Sequence, residues 1–322
     1  MSRDRRGVLA VAAAALALVL PACATVPKPE GRVQTWSYVE TRLPPYWWAA
    51  LVDVGGARAR GATGAERRIA ILDTGVLPGQ EDLANVSPGA ATCGTNSGDT
   101  TDTNGHGTQL AGIAAGRDPG HATRGVAPAA RLIPIKMSCG LVTADALTKG
   151  VDRAIAEKPD VVLLAPGGYP AGPPDVSAFL KDRIGKNPDI LFVVASVWDG
   201  TVYPLPEWTR LDNALVVAAM TLDDARNEVR FSDRAGDVWA PGRDVETADI
   251  APDPANPGLH TPYMMQGTSA ASAIVAGCAV LVKERTGQTG ARLKGALVQA
   301  AEPKPGLGAV NNRRLSCGKA IP

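Results

Sequence analysis

One of the chain's three histidines, His106, has a glycine on each side, in the run Asn104-Gly105-His106-Gly107-Thr108. An imidazole titrates near neutrality, about 6.5 when unperturbed, so it can take a proton from a weak nucleophile and return it later. The glycines let the backbone turn and leave the ring uncrowded. Two other residues complete a possible set for acyl transfer. Asp73 ends an apolar run, Arg68–Asp73, and is followed by Thr74-Gly75. Ser269 stands in Gly267-Thr268-Ser269-Ala270-Ala271, at the start of a long small-residue stretch that reads as a helix. A serine nucleophile, a histidine base and a carboxylate that orients the base are the parts needed to cleave a peptide bond. Each part alone has a plainer reading: Asp73 as a turn former, Ser269 as a helix N-cap. His121 and His260 lie beside glycine or proline in loop-like sequence and read as surface residues. The chain has no H-E-x-x-H and no C-x-x-C, and Ser269 is not in a G-x-S-x-G turn, which argues against zinc hydrolases and α/β-hydrolases.

The elements that must carry these residues are legible as alternating patterns. Runs at 68–73, 131–137, 161–165, 190–196 and 214–220 are short, apolar and rich in strand formers. Continuous apolar runs of this kind suit a parallel sheet covered on both faces. Between them, 143–158 places Leu147, Val151, Ala154 and Ile155 on one helical face, and 175–185 reads as a second helix with Pro173 and Pro174 before it. The β-α-β-α-β order predicts an α/β domain with crossover helices. In such sheets sites collect beyond the carboxyl ends of the strands, where Asp73 falls. A helix start at Ser269 offers free backbone N–H groups where an oxyanion would form.

Together the three segments resemble the subtilisin family: an Asp-Thr-Gly strand end, a Gly-His-Gly-Thr turn and a Gly-Thr-Ser helix start, in that family's order. "GVAPAARLIPIK", "VVLLAPGG" and "VRFSDRAGDVWAPG" match as well, and the likeness covers roughly residues 66 to 300. It implies a three-layer α/β fold with a mostly parallel central sheet covered by helices on both faces. It also implies a serine endopeptidase in which Ser269 attacks, His106 acts as base then acid, and Asp73 orients the ring. The run "LLAPGG" is similar to the edge along which that family lays its substrate as an added strand. The resemblance implies that Ala165 and Gly167 can face the substrate there, with Gly168 near the pocket for the residue before the scissile bond and Pro166 pointing elsewhere. No cofactor is implied. The family often binds calcium, but no carboxylate-dense loop marks a metal site here.

Three departures stand out. The family's oxyanion asparagine aligns without gaps to Trp198, or to Asp199 after a shift of one residue; the Trp198 indole N–H can donate, whereas an ionised Asp199 would repel the oxyanion. Gln109 replaces a histidine common in the motif, and Ala273 replaces a proline. The altered oxyanion turn supports a second reading, a subtilisin-like scaffold that binds a peptide or protein partner with little catalysis.

Composition fits a turn-rich globular enzyme: 45% apolar, 20% charged, net charge +1, with no charge run to draw nucleic acid. Arg3, Arg5 and Arg6, an uncharged stretch Gly7–Leu20 and "LPACA" describe an export signal over 1–24, shorter than the roughly 20 apolar residues of a membrane span. Cleavage after Ala24, or lipidation of Cys23 in a lipobox-like "LPAC", both fit. The expected product is extracytoplasmic: secreted, periplasmic or lipid-anchored at Cys23. Residues 25–65 form a Trp-, Pro- and Arg-rich N-terminal extension, short for a fold-assisting prodomain. Its Trp36, Trp47 and Trp48 read as a strap packed on the peptidase domain, and 55–68 as a flexible basic connector. Residues 66–322 form that domain. Cys93, Cys139, Cys278 and Cys317 allow three pairings, of which Cys93–Cys139 with Cys278–Cys317 is expected; Cys278 also reads as a packed thiol. The expected partner is a peptide or protein substrate, met by a monomer without nucleic acid.

Overall fold

Apolar side chains that alternate along each strand must be buried on both faces, and the computed structural model shows how. It describes residues 46–117, 124–165, 174–196, 206–223, 225–232, 236–256, 258–307 and 311–322. The strands are β1 (Arg68–Asp73), β2 (Ala90–Ala91), β3 (Arg131–Lys136), β4 (Val161–Leu164), β5 (Leu191–Ala195), β6 (Ala214–Leu222), β7 (Glu228–Arg230), β8 (Val238–Pro241), β9 (Val245–Thr247), β10 (Tyr263–Met265), β11 (Glu302–Pro303) and β12 (Arg313–Arg314). The helices are α1 (Trp47–Leu51), α2 (Val54–Ala59), α3 (His106–Ala115), α4 (Ala144–Ala156), α5 (Pro174–Gly185), α6 (Thr268–Thr286) and α7 (Gly290–Ala300).

The main sheet runs β11-β12-β8-β6-β5-β4-β1-β3-β2, with β7 paired to β6. From β2 through β12 along this path every pairing is parallel, and antiparallel partners occur at β7 and β11. Ile69, Ile71, Val161, Leu163, Leu191 and Val193 face a core completed by α3 and α6. Ala70, Leu72, Val162, Leu164, Phe192 and Val194 face a second core with Leu147 and Val151 of α4 and Leu180 and Ile184 of α5. This is the three-layer arrangement expected from the apolar runs, because period-2 alternation feeds both cores from the same strands. Helix α4 begins where the sequence suggests, with the Thr143 side chain accepting from the Ala146 N–H.

The compact unit runs from Arg42 to Pro322. Trp47 and Trp48 are buried in the core that faces α3 and α6, and the Trp47 indole donates to the Asp244 carbonyl at 3.2 Å. Trp36 lies outside the described residues. The stretch expected to be a flexible connector instead carries α2. Asp53 caps it through the Gly56 N–H, Val54 and Ala57 are buried, and Glu284 of α6 accepts from the backbone of Thr63 and Gly64. Tertiary burial has overridden the poor helix propensity of a Gly-Gly pair. The two disulfides join the cysteines expected: Cys93–Cys139 links the loops after β2 and β3, and Cys278–Cys317 ties α6 to the C-terminal segment.

Because Trp48 is fully buried, Trp48→Ala should remove about 3–5 kcal/mol of stability. Urea unfolding of the purified protein should show the midpoint falling without loss of the parent secondary structure before the transition.

Candidate active site

Strand β1 delivers Asp73 to the carboxyl edge of the sheet with 2% of its surface exposed. Its carbonyl accepts from the Met137 and Ser138 N–H groups at the end of β3, at 2.9 and 3.1 Å, which fixes the backbone. The carboxylate Oδ1 accepts from the Thr74 N–H at 2.8 Å and lies 2.7 Å from His106 Nδ1. Oδ2 is buried without a hydrogen-bond partner.

His106 opens α3, directly after Gly105 at φ 102°. Its neighbour Gly107 donates to Thr74 Oγ1 at 2.9 Å, and a Cβ on Gly107 would lie 2.1 Å from the Gly75 carbonyl oxygen. Only glycine permits that approach, and the approach is what sets the ring against Asp73. Behind the turn, buried Asp102 accepts four hydrogen bonds: from the Asn104 and Gly105 N–H groups, and from the Thr108 N–H and hydroxyl. Burial alone would push the imidazole pKa down. The charge and hydrogen bond of Asp73, and then the charge of Asp102, outweigh it and hold the ring above its usual value.

Ser269 is the second residue of α6, after Thr268 and the N-cap Gly267 at φ 110°. Its hydroxyl donates to the Ala165 carbonyl, just past β4, at 3.3 Å, and Thr268 Oγ1 donates to the Ser196 carbonyl, just past β5, at 2.7 Å. The serine is thereby tied to the ends of two central strands. Helix α6 packs on α3, where Gly277 is so close that a Cβ would meet the Ala114 carbonyl oxygen at 2.9 Å. The free N–H groups of the first turn of α6 lie beside the serine.

The structure joins Asp73 to His106 by a hydrogen bond and gives the Ser269 hydroxyl to Ala165. Gly167, Gly168, Trp198, Asp199, Pro166, His121 and Cys23 lie outside the described residues. His260 is not a simple surface residue. It is 19% exposed, its backbone N–H donates to Glu81 Oε1, and Nδ1 lies 2.7 Å from Glu81 Oε2. Gln109 has a partner that the sequence did not suggest: its Nε2 donates to Asp249 Oδ1 at 2.9 Å, while Gln80 Nε2 reaches the Asp249 carbonyl. These contacts anchor the segment between β9 and β10, an antiparallel ribbon, against the start of α3. Asp102 and this ribbon were missed by reading motifs alone. An aspartate four residues before the histidine was the available signal, but Asp-Thr-Asn-Gly also describes an ordinary turn. Among the described residues no group of three or more His, Cys, Asp and Glu could hold a metal ion.

The sequence pattern of the Subtilase family matches residues 64–317. Subtilisin DY of Bacillus licheniformis is 32% identical over 245 residues, covering 72% of this chain and 82% of that protein. Subtilisin Savinase of Lederbergia lenta is 32% identical over 248 residues, 74% of this chain and 84% of its own length. Among solved structures, the MycP3 protease from the type VII (ESX-3) secretion system matches with a TM-score of 0.66 and 23% identity, over 87% of this chain and 88% of that one. Fervidolysin from Fervidobacterium pennivorans, a keratinolytic enzyme related to subtilisin, matches with a TM-score of 0.68 and 20% identity, over 85% of this chain and 45% of that one. These structures share the fold seen here, and the sequence relatives carry the stronger conclusion: the chain belongs to the subtilase family and is a subtilisin-like serine endopeptidase.

Proposed function

We propose that the chain hydrolyses peptide bonds through an Asp73–His106–Ser269 triad and an acyl-enzyme. The observation that carries this reading is the 2.7 Å contact between buried Asp73 and His106 Nδ1, at the sheet edge where α3 and α6 both begin. With Nδ1–H given to the carboxylate, the Nε2 lone pair is free to accept a proton. Ser269 Oγ attacks the scissile carbonyl carbon as its proton passes to Nε2. The tetrahedral oxyanion is met by the N–H groups at the start of α6, and His106 then protonates the leaving amine. Water repeats the sequence on the ester, releasing the acid and the free hydroxyl. The Ser269 hydroxyl must leave the Ala165 carbonyl for the first step, a rotation that costs one weak hydrogen bond.

The second oxyanion donor in this reading is the Trp198 indole, and the substrate strand is Ala165 with Gly167 and Gly168. Export follows from the 1–24 signal, with Cys23 as the lipid anchor if the lipobox route is taken; the sequence relatives named above are subtilisins, which agrees with an extracytoplasmic setting. The burial of Trp47 and Trp48 supports an extension that stays with the mature enzyme, which this reading takes to act as a monomer.

A fluorophosphonate serine-hydrolase probe should label the purified protein, and Ser269→Ala should abolish labelling. Well-folded wild-type protein that resists the probe would turn the reading towards a binding scaffold. The base form of His106 is the neutral ring, whose proton-bound form is favoured above the usual range. Activity should therefore be absent at low pH and rise as pH climbs through a value above about 6.5. A profile of kcat/KM that is already flat from pH 5 to 8 would contradict it. Trp198→Phe, which keeps the aromatic bulk and removes the N–H, should lower kcat roughly 10²-fold in peptide hydrolysis. An unchanged kcat would remove Trp198 from the oxyanion hole.

A further inference from the structure

We propose that Asp102 is a positioning residue of this active site, whose buried carboxylate both locks the His106 turn and stabilises the imidazolium formed when Ser269 loses its proton. The inference rests on His106 being the base. Its geometric ground is the fourfold acceptance described above, at 2.9, 2.9, 2.9 and 2.7 Å, by a side chain only 2% exposed. Oδ1 takes the N–H groups of Asn104 and Gly105, immediately before the histidine. Oδ2 takes both donors of Thr108, immediately after Gly107. The carboxylate thus spans the turn from both sides and fixes the backbone from which the ring reaches Asp73.

A purely structural cap would need only an acceptor. Asp102 brings a full charge, and no cation pairs with it among the described residues. The groups around the ring make that charge count. Asp73 on β1 contacts it directly. On β3, Lys136 donates to the Thr101 carbonyl at 2.6 Å, which anchors the segment that delivers Asp102. Asp249 is bound by Gln109 and Gln80, Glu246 lies on β9, and α6 carries no Lys, Arg, Asp or Glu from Thr268 to Val282. Of these charged groups only Lys136 is a cation, and the charges that act on the imidazole are the Asp73 and Asp102 carboxylates, the field a transient imidazolium requires. The raised titration of His106 includes the Asp102 charge among its causes, in agreement with the geometry.

Asp102→Asn is nearly isosteric and keeps an acceptor for the Asn104 and Gly105 N–H groups while removing the charge. NMR titration of the His106 ring, in the Ser269→Ala background, should show it releasing its proton at lower pH in Asp102→Asn than with Asp102 intact. In the otherwise native enzyme the acid limb of kcat/KM should move the same way, with kcat down about tenfold and KM unchanged. Asp102→Glu keeps the charge, so its ring should still titrate above the usual value even as kcat falls. A ring that titrates identically with Asp102 intact and in Asp102→Asn, or that drops to the ordinary value in Asp102→Glu, would overturn the proposal. The titration needs no catalysis, so it stays decisive if Ser269→Ala and wild type prove equally inactive and the triad reading fails.

Discussion

Everything at this site depends on how closely two helices and a strand can approach one another. Helices α3 and α6 must bring their first residues to the edge where β1 ends, and ordinary side chains would hold them apart. The small residues at the contacts remove that obstacle. A Cβ on Gly107 would strike the Gly75 carbonyl, one on Gly277 would meet Val126 and the Ala114 carbonyl, and one on Gly112 would meet Thr247. Protein interiors are packed too tightly to absorb such collisions by small adjustments. The position of His106 against Asp73 is therefore a packing outcome before it is an electrostatic one.

Once the backbones are that close, polar groups decide the direction of each side chain. Thr74 Oγ1 receives the Gly107 N–H, Asp102 spans the turn, and Lys136 holds the carbonyl before Asp102. On the serine side, Ala165 and Ser196 carbonyls engage the first two side chains of α6. Each bond is worth only about 0.5–1.5 kcal/mol net, yet a buried carboxylate left without them would be far more costly. The network therefore has one low-energy arrangement, which is what a preorganised site needs.

Much of this was legible in the sequence for physical reasons. Central parallel strands are buried on both faces, so they read as unbroken apolar runs, and β1, β3, β4, β5 and β6 fall within or close to those runs. The glycines around His106 and Ser269 announced special backbone, since few other residues tolerate it. What escaped was set by contacts distant in sequence. Helix α2 has a Gly-Gly pair and no helical signal, and it forms because Asp53 caps it and α6 receives its flank. The β9–β10 ribbon pairs two three-residue strands, too short for alternation to show. His260 looked like a loop residue until Glu81, far upstream, closed on it. Gln109 was visible only as a departure from the family motif until Asp249 gave it a partner.

The most direct test of the account is to catch the acyl-enzyme. Purified protein would be mixed with an activated peptide ester, quenched in acid within milliseconds, and mapped by mass spectrometry. The account predicts a transient acyl group on the peptide that contains Ser269, which disappears as product forms and is missing in Ser269→Ala. Product formed without such an adduct, or an adduct carried by another residue, would contradict it.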